Sequence, residues 1–208
     1  MKVLTVEGNI GAGKSTLLPQ LAEILGYEYL LEPVDTDGEF KRLLGEFCSN
    51  PKCVHARNNF QMYLTNQRAD MLANVDPNGS YIIERSLLSD LVFTHACMAN
   101  YEYTPEAAQH HMDSYKHLIS RLLDYPRINT CLYLKTDPMV AFQRMRQRGR
   151  EEEKKVGFTY IKDLSAFHDA VIPQACRKSE TKLVQVDWNE FKEPVWVVQT
   201  LLAEGAKL

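Results

Sequence analysis

Val3-Leu4-Thr5-Val6-Glu7-Gly8-Asn9-Ile10-Gly11-Ala12-Gly13-Lys14-Ser15-Thr16 begins as a short apolar run, breaks into glycines, and restarts with Leu17, Leu18, Leu21 and Ile24 at helical spacing. Gly8 to Ser15 fits G-x-x-x-x-G-K-[ST], and the flanks are the required ones, a β-branched strand before and an amphipathic helix after. Glycines let successive backbone N–H groups curl around phosphate oxygens where a side chain would collide. The helix that follows turns its positive end to the same anion, Lys14 adds a mobile full charge, and the Ser15 hydroxyl offers a ligand to Mg²⁺. Gly8, Asn9, Ile10, Gly11, Ala12, Gly13, Lys14, Ser15 and Thr16 are therefore the candidate triphosphate-binding residues.

Downstream, short apolar runs alternate with helical patterns. Tyr27 to Leu31 reads as a short buried strand ending at Glu32-Pro33-Val34, where Pro33 holds Glu32 extended. Gly38 to Phe47 and Arg57 to Ala73 read as helices, and on the second Gln61, Leu64 and Arg68 fall on one face. Tyr81 to Ile83 is a third strand that runs into Glu84-Arg85-Ser86; Ser86 starts a helix carrying Asp90, and Pro105 to Leu123 is another helix. Thr130 to Leu134 is strand four, after which Asp137 caps a helix with Pro138 at its first position. That helix enters Arg144, Arg146, Arg148, Gly149, Arg150 and Glu151 to Glu153. Leu164 to Cys176 continues as helix, Leu183 to Val186 is strand five, and Val195 to Leu202 lies in a closing helix. The alternation predicts an α/β, P-loop NTPase-type three-layer fold: a five-stranded parallel sheet with helices on both faces and an arginine-rich lid at about 144–157.

The chain of 208 residues fits one domain, 1–208. Its net charge of −3, with both signs mixed along the chain, suits small substrates and gives no broad surface for nucleic acid. Five scattered cysteines and the lack of a signal peptide point to a reducing, cytoplasmic setting, and no apolar run approaches the roughly 18 residues of a membrane span. Cys48, Cys53 and His55 resemble the start of a metal cluster, but no second Cys or His pair follows at zinc-ligand spacing.

In parallel sheets ligands gather at the carboxyl edge, where Glu32 and the Glu84-Arg85 pair fall. Glu32 is placed to accept a proton from an attacking hydroxyl, Arg85 to neutralise phosphate charge, and Glu84 to help hold Mg²⁺. Four arginines around Gly149 form either a solvated helix end or a lid whose guanidinium forks close on transferring phosphates; beside a triphosphate loop the lid is favoured. Gln61, Arg68 and Asp90 offer the amide, guanidinium and carboxylate that reading a base edge requires.

These residues together resemble the deoxynucleoside kinase family, most closely its deoxycytidine, deoxyadenosine and deoxyguanosine kinase branch. The resemblance runs through Glu7-Gly8-Asn9-Ile10, Glu32-Pro33-Val34, Phe60-Gln61-x-Tyr63, Glu84-Arg85-Ser86 with Asp90, the Arg144 to Glu153 lid followed by Tyr160, and Asp187-Trp188-Asn189-Glu190-Phe191. It implies transfer of the γ-phosphate of ATP, with Mg²⁺ at Ser15 and Glu84, to the 5′-hydroxyl of a deoxyribonucleoside in nucleotide salvage. In that reading Glu32, Arg85 and Lys14 are catalytic, and Val34, Phe60, Gln61, Leu64, Arg68, Asp90 and Glu153 join Glu32 and Arg85 in binding the nucleoside. Arg144 lies against the donor adenine, Arg148 and Arg150 close on the phosphates, Asp187 and Phe191 border the donor base, and the protein is a homodimer. The Arg68 and Asp90 pair implies preference for deoxyadenosine, deoxyguanosine or deoxycytidine over thymidine. Two departures stand out: Cys48 replaces the tyrosine expected to contact the sugar, and Thr94 stands where the family has an aromatic, with Phe93 one residue early.

Two other readings are weaker. A nucleoside monophosphate kinase would share the loop and lid, but a phosphate acceptor needs no base and would be repelled by Glu32. A regulatory GTPase would end the third strand in aspartate and carry an Asn/Thr-Lys-x-Asp signature, whereas here the strand ends in Glu84 and Leu134-Lys135-Thr136-Asp137 lacks the leading residue.

Overall fold

Alternation along three central strands sorts the core into two layers. The computed structural model describes residues 1–32, 36–50, 53–99 and 104–208. Its elements are β1 (Lys2–Gly8), α1 (Lys14–Leu25), β2 (Glu28–Leu30), α2 (Gly38–Ser49), α3 (Val54–Ala73), β3 (Ser80–Glu84) and α4 (Leu87–Ala99). There follow α5 (Pro105–Leu123), β4 (Thr130–Lys135), α6 (Pro138–Arg148), α7 (Phe158–Lys178), β5 (Lys182–Asp187) and α8 (Pro194–Ala203), with a 3₁₀ turn at Glu151–Glu153. The strands form one parallel sheet in the order β2-β3-β1-β4-β5. Leu4, Val6, Ile82, Leu132 and Leu134 face α1 and α8, where they pack with Leu18, Leu21, Val197 and Leu201. Val3, Tyr81, Ile83, Cys131 and Tyr133 face the other way and pack with residues of α4 and α7 such as Val92, Leu164 and Ile172.

The three-layer parallel architecture is the expected one, and most boundaries fall close to the pattern. Thr104 caps α5, Asp137 caps α6, and Pro105 and Pro138 occupy the first turns, where a missing N–H costs nothing. The region 27–31 departs from expectation. β2 is not buried; it is an edge strand paired with β3, and Tyr29 is 48% exposed. Its apolar side chains reflect half-covered packing rather than a central position.

β1 lies at the centre, between β3 and β4, so Gly8 leaves the sheet where the chain order reverses. A parallel sheet opens a crevice there, and the residues after β2 and β3 border the same crevice.

Candidate active site

The phosphate loop is shaped by its neighbours in the fold. Gly11 has φ +80°, and a Cβ on it would strike the Ala141 carbonyl of α6. Gly13, the left-handed N-cap of α1, would place a Cβ 2.7 Å from the Phe191 ring. Asn9 spends its amide holding the loop to α7, donating to the Ile161 carbonyl and the Ser165 hydroxyl at 2.8 Å each, and its Oδ1 accepts from the Ile10 N–H. Ala12 is wholly buried. The Lys14 ammonium curls back to the Gly8 and Asn9 carbonyls, and burial together with the Arg85 charge lowers its pKa to about 7. Ser15 Oγ donates to Glu84 Oε1 at 2.9 Å. Two hard oxygen ligands at the start of α1 and the end of β3 fit Mg²⁺, which takes carboxylate and hydroxyl oxygens.

Glu32 stands just past the carboxyl end of β2. Arg68 grips it through Nε at 3.0 Å and through Nη2, and Arg85 Nε lies 3.6 Å from its second oxygen. Burial opposes the charge, but these two guanidinium groups outweigh it and hold the carboxyl below its ordinary range. Arg68 also pairs with Asp90 through Nη1, and Gln61 Nε2 donates to the same Asp90 oxygen at 2.9 Å. Burial raises Asp90 to about 6 despite Arg68, and its other oxygen has no hydrogen-bond partner. Gln61, Arg68 and Asp90 are thus one chain of contacts, and Arg68 joins it to Glu32.

Arg85 is held by Glu7, Ser86 and Ser89, for which sequence reasoning assigned no such role. Its backbone is left-handed, φ 63°, a conformation that costs a non-glycine residue roughly 1–2 kcal/mol. Its N–H donates to Val6 O at 3.1 Å, and its Nη1 donates to Ser89 Oγ at 3.1 Å. Ser89 in turn donates to Glu7, a wholly buried carboxylate that also receives Ser86 Oγ at 2.7 Å and Thr5 Oγ1 at 3.0 Å. Ser86 accepts from the Leu88 N–H, so it caps α4 instead of forming its first turn. The sequence signal was a carboxylate in a largely apolar strand and two serines one helical turn apart.

The four arginines of the lid region divide by task. Arg144, Arg146 and Arg148 belong to α6, so the connection between helices is the shorter stretch 149–157. Arg144 donates to the Trp188 and Asn189 carbonyls and lies 4.0 Å over the Phe191 ring. Arg146 holds the loop itself through the Lys154 and Val156 carbonyls. Arg148 and Arg150 face the cleft, where Glu153 accepts from Arg148 at 2.6 and 2.8 Å and lies 3.9 Å from Arg150.

These groups meet in one cleft that opens to solvent. Its walls include Ile10, Gly11, Lys14, Ser15, Glu32, Phe60, Gln61, Leu64, Arg68, Glu84, Arg85, Arg148, Arg150 and Glu153 from the expected set. Arg144, Asp187 and Phe191 lie outside it, on the side of the loop where Phe191 covers Gly13. Val34 lies outside the described residues. Arg57, Phe47, Phe93, Cys48 and Tyr160 also line the cleft. Phe60 stacks on Phe47 at 5.7 Å, and Phe93 lies under the Arg85 guanidinium at 5.0 Å and edge-on to His168. Phe93 thus lines the cleft, although Thr94 stands where the family has an aromatic. The Cys48 thiol is pushed up to about 12 by burial and by the charges of Glu153 and Glu152, so it stays protonated. Six cationic side chains face three carboxylates in these walls, an excess that suits a polyanion although the chain as a whole is acidic.

The family model described as deoxynucleoside kinase matches residues 4–208. A deoxyguanosine kinase of Dictyostelium discoideum is 28% identical over 195 residues, 91% of this chain and 65% of that protein. A probable deoxycytidine kinase of fowlpox virus is 29% identical over 93% of this chain and 77% of its own length. A mitochondrial NADH dehydrogenase subunit of Mus musculus is 27% identical over 96% of this chain and 61% of its own. This chain thus spans about two thirds of the length of several of the relatives it matches. Among solved structures, the M. mycoides deoxyadenosine kinase with bound dATP superposes with a TM-score of 0.77 at 22% identity, covering 97% of this chain and 99% of that one.

Proposed function

This chain belongs to the deoxynucleoside kinase family, and from that premise we propose that it transfers the γ-phosphate of ATP to the 5′-hydroxyl of a deoxyribonucleoside. The observation that carries this reading is Glu32, a carboxylate kept ionised between Arg68 and Arg85 at the edge of the phosphate loop. A hydroxyl acceptor needs such a base, and a carboxyl held below its ordinary range is already charged at neutral pH. Lys14 and Arg85 face the charge that spreads over the equatorial oxygens, and Arg148 and Arg150 close the cleft from the lid side. Mg²⁺ held by Ser15 and Glu84 would supply further neutralisation of the phosphates.

The nucleoside lies in the apolar half of the cleft, its base against Phe60 and Phe93 and its edge toward Gln61 and the Arg68 and Asp90 pair. That polar edge favours deoxyadenosine, deoxyguanosine or deoxycytidine over thymidine. Glu153 contacts the sugar, and because Cys48 offers no hydroxyl, Glu153 carries that role without a tyrosine beside it. Arg144 and the Asp187 to Phe191 loop border the donor base outside the cleft. The protein acts as a cytoplasmic homodimer in nucleotide salvage.

The test is ADP release from ATP and Mg²⁺ against the four deoxynucleosides and their 5′-monophosphates. Turnover with deoxynucleosides and none with monophosphates supports the proposal. Turnover confined to monophosphates assigns Glu32 another role, and no turnover with either would fit a relative that keeps this fold as a subunit of a larger assembly.

A further inference from the structure

Away from the cleft, where α3 and α5 begin side by side, His55, Glu106 and His110 bring two imidazole nitrogens and a carboxylate oxygen within 4.8 Å of one another. Glu106 and His110 are one turn apart on α5 and share a face, while His55 is the second residue of α3 and reaches across. Its Nε2 lies 3.3 Å from Glu106 Oε1, and its ring centroid lies 4.7 Å from that of His110. Burial does not force this meeting, because the side chains of His55 and Glu106 are 65% and 67% exposed. An exposed ion pair repays only about 0–1 kcal/mol. A divalent ion would give the three groups a common partner, taking both rings as neutral ligands and offsetting the carboxylate charge.

We propose that His55, Glu106 and His110 form a binding site for a borderline transition-metal ion of the Zn²⁺ type, with water completing the coordination. A donor set of two imidazoles and one carboxylate suits Zn²⁺, whereas Mg²⁺ and Ca²⁺ prefer oxygen alone. The site is therefore chemically distinct from the oxygen pair of Ser15 and Glu84. The grouping of Cys48, Cys53 and His55 lacked a second ligand pair in sequence; Cys48 lines the cleft, and His55 finds its partners on α5. A metal here ties together the first turns of two helices. α3 carries Arg57, Phe60, Gln61, Leu64 and Arg68 into the cleft, and His110 shares a smaller cavity with Arg57 and Gln61. The ion would thus brace the wall that holds the base.

The test is equilibrium dialysis of the full chain against Zn²⁺ with excess Mg²⁺ present, read by atomic absorption, with Co²⁺ as a spectroscopic substitute. We expect one Zn²⁺ per chain, Co²⁺ absorption of the kind nitrogen ligands give, and a melting temperature that rises with Zn²⁺. His55→Ala and Glu106→Gln, both at exposed positions, keep the metal-free melting temperature and lose affinity by at least the roughly 10–100-fold that loss of an outer-shell partner costs. Cys53→Ser retains binding. The proposal fails if the His55→Ala, His110→Ala double variant binds Zn²⁺ as the parent does, if Cys53→Ser abolishes binding, or if Mg²⁺ in excess displaces the ion.

Discussion

Removing the charge from Glu7 tests whether Arg85 is positioned from behind. Glu7→Gln preserves shape and one carbonyl oxygen, which continues to accept from Thr5 and Ser86, and turns an amide N–H₂ toward Ser89. The Ser89 hydroxyl then receives both the amide and Arg85 Nη1, and its own proton has no acceptor. A hydrogen bond to a charged group contributes about 1.5–3 kcal/mol, so the variant should lose about 2–3 kcal/mol of stability in urea unfolding. Arg85 loses the fixed oxygen that aligns its guanidinium while keeping a left-handed backbone that favours relaxation. If that alignment contributes a similar amount to the transition state, kcat for ADP release falls roughly ten- to hundredfold while the KM for nucleoside changes little. Thr5→Val is the control: it removes one bond to Glu7 at 3.0 Å without touching Ser89, so it costs stability and leaves kcat within about twofold. Ser89→Ala should reproduce the kcat loss of Glu7→Gln. If Glu7→Gln is destabilised but turns over at the parent rate, Glu7 is a structural carboxylate and the positioning role is refuted.

Glu32→Gln should fold and bind nucleoside but turn over at least about a hundredfold more slowly, as loss of a general base does; near-parental turnover would remove the base assignment. Lys14 gives a pH signature, because its pKa of about 7 in the free protein rises when phosphates bind beside it. Below pH 7 it is already charged, whereas above pH 7 binding takes up a proton, approaching about one near pH 8.5; calorimetry of ATP binding in buffers of different ionisation enthalpy reads this directly. Asp90→Asn should shift the ranking of the four deoxynucleosides, and an unchanged ranking would detach Asp90 from base recognition. Arg68→Met is a poorer probe of the base, since it also frees Glu32, and should lower kcat together with selectivity. Gly11→Ala meets a positive φ and the Ala141 carbonyl at once, so a loss of about 2–4 kcal/mol in urea unfolding is expected, with ATP binding weakened as α6 is pushed off the loop.

The sequence by itself determined the parallel sheet, the phosphate loop and the edge on which Glu32, Glu84 and Arg85 stand. These depend on local periodicity, on glycines followed by Lys14 and Ser15, and on polar residues placed where apolar strands end. It could not show that β2 lies at the sheet edge, because a run of three to five apolar residues carries no record of how many neighbours cover it. The helical stripe through Gln61, Leu64 and Arg68 was legible because it is periodic, but that Arg68 divides itself between Glu32 and Asp90 depends on the residues after β2 and on α4 both reaching α3. Glu7 looked like one polar residue in a strand; only the approach of α4 turns it into the anchor of Arg85. The arginines from 144 to 150 share one composition and serve separate tasks, because successive helix positions point in different directions and the loops they meet come from distant parts of the chain. Proximity in sequence sets His55 beside Cys48 and Cys53, while its partners Glu106 and His110 stand some fifty residues away on α5. Local chemistry is written in neighbouring residues, whereas the partner of a side chain is fixed by packing between elements that the chain brings together only when it folds.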